Sequence, residues 1–162
     1  MTGVALDPET RLQGDDHEAL RLWLRLFTCA TMVERTVDQM LKREFGSSLA
    51  RFDVLAQLDR APDGLRMGAL SEATLTSNGN VTWLVAALEA EGHVKRRTAP
   101  DDRRATVVRL TATGRRHFAL MAREHEALIV RLFEGLGVAD RRTMHTLLGT
   151  VKQHLHLESA TP

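Results

Sequence analysis

At 162 residues and 43% apolar, the chain is long enough to bury a core. With aromatics at 4% and no Tyr, it fits a Leu- and Ala-rich helical protein rather than a β-sandwich. The single cysteine, Cys29, excludes an intramolecular disulfide framework and points to a reducing cytoplasm; no signal peptide, lipidation motif or apolar run of about 18 residues points to a membrane. The formal net charge is only +1, so a surface for an acidic polymer requires charge gathered locally.

Residues 1–14 contain Gly3, Pro8 and Gly14 without periodicity and are expected to form a flexible arm. Residues 15–46 then hold no Gly or Pro before Gly46, with Asp15, Asp16 and Glu18 gathered at the start, where the helix dipole favours acids. Leu20, Trp23, Leu24, Phe27, Ala30, Val33, Val37, Met40 and Leu41 keep helical spacing, which predicts one helix of about 30 residues. That is too long for a small domain to cover alone, so its first half is expected to need a partner surface, such as a second subunit. A second helix is expected over Leu49–Ala61, with Phe52, Leu55 and Leu58 inward and Pro62-Asp63-Gly64 closing it.

Met67 to about Thr74 reads as a short helix. A Thr/Ser/Asn/Gly turn follows, with Thr76 or Ser77 as the N-cap of the next helix and Gly92 as its stop. In that helix Val81, Leu84, Val85 and Leu88 fall at i, i+3, i+4 and i+7, which gives one apolar face. Asn80, Trp83 and Ala87 lie on another face, with Ser77, Asn78 and Gly79 at the entrance. The Ser, Asn and Gly residues suit ordinary turn and capping roles as well as a groove. An Asn amide also donates and accepts at a base edge, and a helix start offers free N–H groups to phosphate.

Residues 94–116 hold eight cations (Lys95, Arg96, Arg97, Arg103, Arg104, Arg109, Arg115, Arg116) against Asp101 and Asp102. This window is therefore +6 in a chain of +1, leaving −5 for the rest. Pro100-Asp101-Asp102 suits a loop tip, while Val108 and Leu110 alternate with polar neighbours as a half-buried strand does. A helix-turn-helix followed by a basic β-hairpin has the electrostatic footprint of a duplex binder.

A helix from Thr113 to about Leu136 is expected next, with Phe118, Met121, His125, Leu128 and Leu132 in a 3-4-3-4 spacing. The last helix, about Ala139–Leu157, repeats the pattern with Met144, Leu147, Leu148, Val151 and Leu155. The fold class expected is mainly α with a small β-hairpin wing. A winged helix-turn-helix lobe over 47–111 is flanked by helices over 15–46 and 112–157, whose apolar stripes are expected to form a dimerisation platform or else to pack within one subunit.

In this order of elements, Asp102-Arg103-Arg104, then Leu110-Thr111 and Gly114, resembles the wing signature of the MarR family of winged-helix transcriptional regulators. The resemblance covers roughly Asp16 to Leu157 and implies a short strand ahead of the Met67 helix, for which Leu65-Arg66 is the only candidate. It implies a homodimer on double-stranded DNA, with Ser77, Asn78, Gly79, Asn80 and Trp83 toward the major groove. Trp83 would pack on thymine methyls or sugar carbons, or else cap the local core. Arg104 would enter the minor groove with Asp102 orienting its guanidinium, while Arg97 and Arg103 would meet phosphate.

The resemblance further implies a small effector between the first helix and the reading head, with Phe27, Thr31, Phe52, Arg25 and Arg51 as candidate contacts. The stretch FGSSLARFDVLAQLDRAPDGLRMGALS resembles members that govern aromatic-acid catabolism, which points to a repressor released by an aromatic acid or its aryl-CoA thioester. Redox sensing through Cys29 is one alternative, although a lone cysteine in such a helix is expected to be a small buried residue. A helical protein-interaction module without specific DNA binding is another. The chain shows no phosphate loop, nucleophile elbow, HExxH or metal-ligand cysteine pair, so neither enzyme chemistry, cofactor nor metal is expected.

Overall fold

A computed structural model describes residues 17–74, 78–99, 102 and 104–159. Its elements are α1 (Glu18–Phe45), α2 (Leu49–Arg60), β1 (Leu65–Arg66), α3 (Met67–Ala73), α4 (Asn78–Ala90), β2 (Val94–Thr98), β3 (Thr106–Leu110), α5 (Ala112–Leu132) and α6 (Val138–Ser159). The elements match the expected order, with α5 ending four residues early and α6 running two residues further. The expected N-caps Thr76 and Ser77 and the arm 1–14 lie outside the described residues. No helix among the described residues is long and apolar enough to cross a membrane.

The chain divides into two compact units, Met1–His125 and Glu126–Pro162, with the boundary inside α5. In the first, α1 ends at Gly46 in the left-handed region (φ 59°), where the Gly46 N–H bonds to the Lys42 carbonyl and the Ser47 N–H to the Leu41 carbonyl. Ser48 then caps α2 by accepting from the Arg51 N–H at 3.3 Å, and Asp38 of α1 accepts from the Leu49 N–H at 3.0 Å. The Lys42 ammonium and that Leu49 N–H hold the Asp38 carboxyl below its ordinary value. One short corner thus fixes the direction in which α2 leaves α1.

The core of this unit is built from Val37, Met40 and Leu41 of α1, Phe52, Val54, Leu55 and Leu58 of α2, Leu70 of α3, and the α4 stripe Val81, Leu84, Val85 and Leu88, all buried. The predicted apolar face of α4 is therefore the buried one. It packs on α2, α3 and β2. The sheet is antiparallel in the order β1-β3-β2, so Leu65-Arg66 does form a strand, paired to Val108 and Val107 of β3.

The start of α5 is locked to the end of α4. Gly92 takes φ 76°, stopping the helix as expected. Thr111 donates its N–H to the His93 carbonyl at 3.0 Å and its hydroxyl to the Gly92 carbonyl at 2.7 Å, and its oxygen accepts the Gly114 N–H at 2.9 Å. A methyl group on Gly114 would overlap the His93 carbonyl, whose carbon would lie 2.7 Å away. The His93 ring stacks on His117 of α5 (centroids 4.3 Å apart, planes 4° apart), and Phe45 meets His117 edge-on.

The α5 stripe is used unevenly. Met121 is buried, Phe118 and His125 are half-buried against Phe52 (5.5 and 4.8 Å between centroids), and in the second unit Leu128 is buried while Leu132 is exposed. Outside the core, Leu20, Trp23 and Phe27 of α1 and Leu147, Leu148 and Val151 of α6 are exposed.

Two outcomes follow from this packing. Gly114→Ala should lower the unfolding free energy by roughly 3 kcal/mol in urea titrations, since backbone rather than a yielding side chain occupies the space. Stability should also fall as pH drops below about 6.5. Burial, then His93 and Arg51, lower the His117 pKa against the opposing pull of Glu91, and burial lowers that of His125. The unfolded chain then takes up these protons before the native one does. The stability is full above the unfolded value and is lost as pH falls through the folded ones. In thermal melts from pH 7.5 to 5, a His117→Gln/His125→Gln variant should show a shallower decline.

Candidate nucleic-acid interface

Burying Val81, Leu84, Val85 and Leu88 turns the opposite side of α4 outward. Asn80 and Thr82 are exposed, and Trp83 is 64% exposed, so the indole does not cap the core. Ala87, which shares their face, is half-buried. Ser77 lies outside the described residues, and Asn78 and Gly79 form the first turn of α4. Of the residues expected to face a groove, Asn80 and Trp83 are exposed.

The strand register sorts the basic window in a way that counting charges did not reveal. Val94, Arg96 and Thr98 pair with Leu110, Val108 and Thr106, which puts them on the side that carries the buried Val94, Val108 and Leu110. Lys95 and Arg97 pair with Arg109 and Val107, and Val107 also pairs with Arg66, so Arg66, Lys95, Arg97 and Arg109 share the other face. Lys95 directly opposite Arg109 is a like-charge pair, an arrangement that costs stability in an antiparallel ladder.

Several of the eight cations are spent within the fold. Arg96 lies on Glu89 of α4 at 2.6 Å, and its own N–H also bonds to that carboxylate at 2.9 Å. The Arg96 N–H and then its guanidinium hold the Glu89 carboxyl below its ordinary value. Arg115 pairs with Asp59 at 3.2 Å, and Arg109 donates to the Asp63 carbonyl with its carboxylate 3.6 Å away. Lys95, Arg97 and Arg104 are exposed and form no ion pair among the described residues. Arg103 lies outside the described residues.

The wing tip departs from expectation in one respect. Asp102 accepts the backbone N–H of Arg104 at 2.9 Å rather than its guanidinium, while the Ala105 N–H closes the turn on the Asp102 carbonyl at 3.0 Å. A short carboxylate two residues upstream meets the amide first, as in an Asx turn. Asp102 therefore shapes the loop and leaves the Arg104 guanidinium to solvent.

The candidate effector residues fall in different surroundings. Phe27 lies on the exposed side of α1 with its ring 5.6 Å from that of Trp23, Thr31 is half-buried, and Arg25 is exposed. Phe52 is in the core against Phe118 and His125, and Arg51 is held by Glu91 at 2.6 Å. Phe118 and His125, which the sequence reading assigned only to a packing stripe, join Phe52 in this aromatic cluster. Cys29 is exposed rather than buried; it lies about two turns before Val37, the first buried residue of α1. Among the described residues no group of three or more His, Cys, Asp or Glu could hold a metal ion.

Comparison with known proteins places this geometry in context. A family model described as MarR family matches residues 45–105, the stretch from the α1–α2 corner through the wing. The chain is 31% identical over 140 residues to the transcriptional activatory protein BadR of Rhodopseudomonas palustris, covering 80% of this chain and 76% of the relative. Among solved structures it is similar to a MarR family transcriptional regulator from Silicibacter pomeroyi (30% identity, TM-score 0.77, covering 88% of this chain and 99% of that one). The fold also matches Sco3205, a MarR family regulator from Streptomyces coelicolor solved in complex with DNA (24% identity, TM-score 0.77, 89% and 91% covered).

Removing the free wing-tip guanidinium by Arg104→Ala should weaken operator binding by about 1–3 kcal/mol in fluorescence anisotropy, whereas Arg115→Ala, whose partner is Asp59, should change it by less than about 0.5 kcal/mol. Equal losses in the two variants would show that the wing acts only through its summed charge.

Proposed function

Since the chain belongs to the MarR family of DNA-binding transcriptional regulators, we propose that it is a cytoplasmic repressor that binds a pseudo-palindromic operator as a homodimer and is released by a small aromatic acid or its aryl-CoA thioester. The observation that carries the DNA half is α4. It buries one stripe completely and offers Asn80 and Trp83 beside a wing whose Lys95, Arg97 and Arg104 remain uncompensated. In this reading, Ser77, Asn78, Gly79, Asn80 and Trp83 line the major groove, and Arg104 enters the minor groove. Arg97 and Arg103 meet phosphate, and Asp102 holds the loop.

The dimer is supported by the exposed apolar residues of α1 (Leu20, Trp23, Phe27) and α6 (Leu147, Leu148, Val151), which a second copy would cover. A two-fold pair would set half-site centres about 10 bp apart. For the effector, the aromatic cluster Phe52, Phe118 and His125 supplies apolar ring faces near the α2 residue Arg51. Phe27, Thr31 and Arg25 supply the α1 side. A ligand carboxylate or CoA phosphate would compete with Glu91 for Arg51, and so would bias the joint between α2 and the α4–β2 turn.

The exposure of Cys29 favours a second reading, in which oxidation of this thiol releases DNA. Family membership sets aside the interaction module without DNA.

The test is titration of the purified protein onto its own upstream DNA against random duplex at about 150 mM salt, near the physiological ionic strength at which non-specific binding is weak. The arms contain no addition, p-coumaroyl-CoA, feruloyl-CoA, the free acids, or peroxide with a Cys29→Ser control. Specific binding released by one thioester or acid supports the proposal. Release by peroxide in the wild type but not in Cys29→Ser selects the redox reading, and binding no tighter than to random duplex overturns the operator. A reporter under the same promoter reads the sign of control, which matters because the Rhodopseudomonas relative is named an activator.

A further inference from the structure

Trp83 is the largest side chain on α4, and the core does not account for it. It is 64% exposed, and of its same-face neighbours one and two turns away Ala86, Ala87 and Ala90 are small while Asn80 is exposed and polar. The indole therefore projects beside Asn80 as the large apolar group of that strip. A large apolar ring left in water on a surface otherwise free to be polar marks a binding contact more than a packing one.

The rest of the reading helix restricts what that ring would meet. Residues 75–90, LTSNGNVTWLVAALEA, contain no Lys or Arg, the side chains that take the guanine O6 and N7 acceptors as a pair. What α4 presents instead is the exposed Asn80 amide, which fits adenine N6 and N7, together with the exposed Thr82 and Trp83. Apolar groups in the major groove find one apolar target, the 5-methyl of thymine. On the wing, the exposed Arg104 shares the bias, since guanidinium is drawn into the narrow minor groove of A·T tracts.

We infer that the reading helix recognises A·T pairs, and that Trp83 packs its indole on a pyrimidine 5-methyl group in each half-site. The inference rests on the operator-binding proposal above and adds the atom that is read. It has a regulatory corollary: 5-methylcytosine carries the same methyl at the same place, so cytosine methylation at that step would strengthen binding where unmodified cytosine weakens it.

The experiment uses the full chain and an operator duplex located by footprinting the upstream DNA. Thymines of one half-site are replaced singly by deoxyuridine, which removes only the methyl. The wild type should lose about fourfold in affinity at one position, the factor expected for one buried methyl. At that position 5-methylcytosine should bind more tightly than cytosine. Trp83→Ala should bind more weakly overall and no longer distinguish thymine from uracil or 5-methylcytosine from cytosine there, and Trp83→Leu should retain part of the discrimination. The inference is overturned if uracil is tolerated at every position by the wild type, or if Trp83→Ala discriminates as the wild type does. A chain that does not prefer the unsubstituted operator to random duplex fails earlier, and takes down the operator reading itself.

Discussion

The structure depends on the joint where Thr111 reaches back across the sheet to the end of α4. Its N–H and hydroxyl take the carbonyls of His93 and Gly92 in the turn that follows α4, and its oxygen takes the Gly114 N–H, a donor that the start of α5 leaves free. One threonine therefore ties the turn after one helix to the beginning of another. The absent side chain at Gly114 lets α5 come close enough for the His93 and His117 rings to stack. This gives the Leu110-Thr111-x-x-Gly114 spacing a physical meaning: it is the joint between the reading head and the helix that leaves it.

Around that joint, charge is distributed by use. Arg96 and Arg115 face acids on α4 and α2 and serve the fold. Lys95, Arg97 and Arg104 are left to solvent, with Lys95 set against Arg109 in the ladder at some cost. Asp63 relieves Arg109 and leaves Lys95 without an ion pair among the described residues, and a local rule broken at a surface commonly marks one shaped for something outside the fold. The field this surface projects acts over about a Debye length, roughly 8 Å at physiological salt. It would act only when the duplex is nearly docked, so base contacts on α4 rather than bulk charge would distinguish one site from another.

Most of the fold was legible from periodicity. The stripe Val81, Leu84, Val85 and Leu88 gave the buried face of α4 and the uninterrupted run before Gly46 gave α1, while the two-residue strand Leu65-Arg66 came from the family resemblance rather than from its own pattern. Three features were not. The split of the cations follows from strand register, which depends on tertiary pairing and flips every side chain with a one-residue slip. Asp102 was matched with the guanidinium because charges attract in a one-dimensional reading, whereas loop geometry offers it an amide first. Cys29 was expected to be buried because its helix is apolar, but burial on a helix that outruns its own domain depends on what lies alongside. At the site, the exposure of Asn80 and Trp83 was readable as the complement of the buried stripe; the aromatic cluster of Phe52 with Phe118 and His125 joins residues too distant in sequence to be paired by eye.

The bond between Glu89 and Arg96 has a consequence for the DNA side. Because that carboxylate takes both the guanidinium and the main-chain N–H of the first wing strand, it ties the reading helix to the base of the wing. On the proposed reading, that tie would let the protein rather than the duplex set the step from the major-groove contact to the minor-groove contact. One inserted base pair between those contacts would advance the second by about 3.4 Å and turn it by about 34° around the helix axis, and so would weaken binding. Within a half-site the two parts of such a binding sequence would then drift in evolution by substitution more readily than by a change of length.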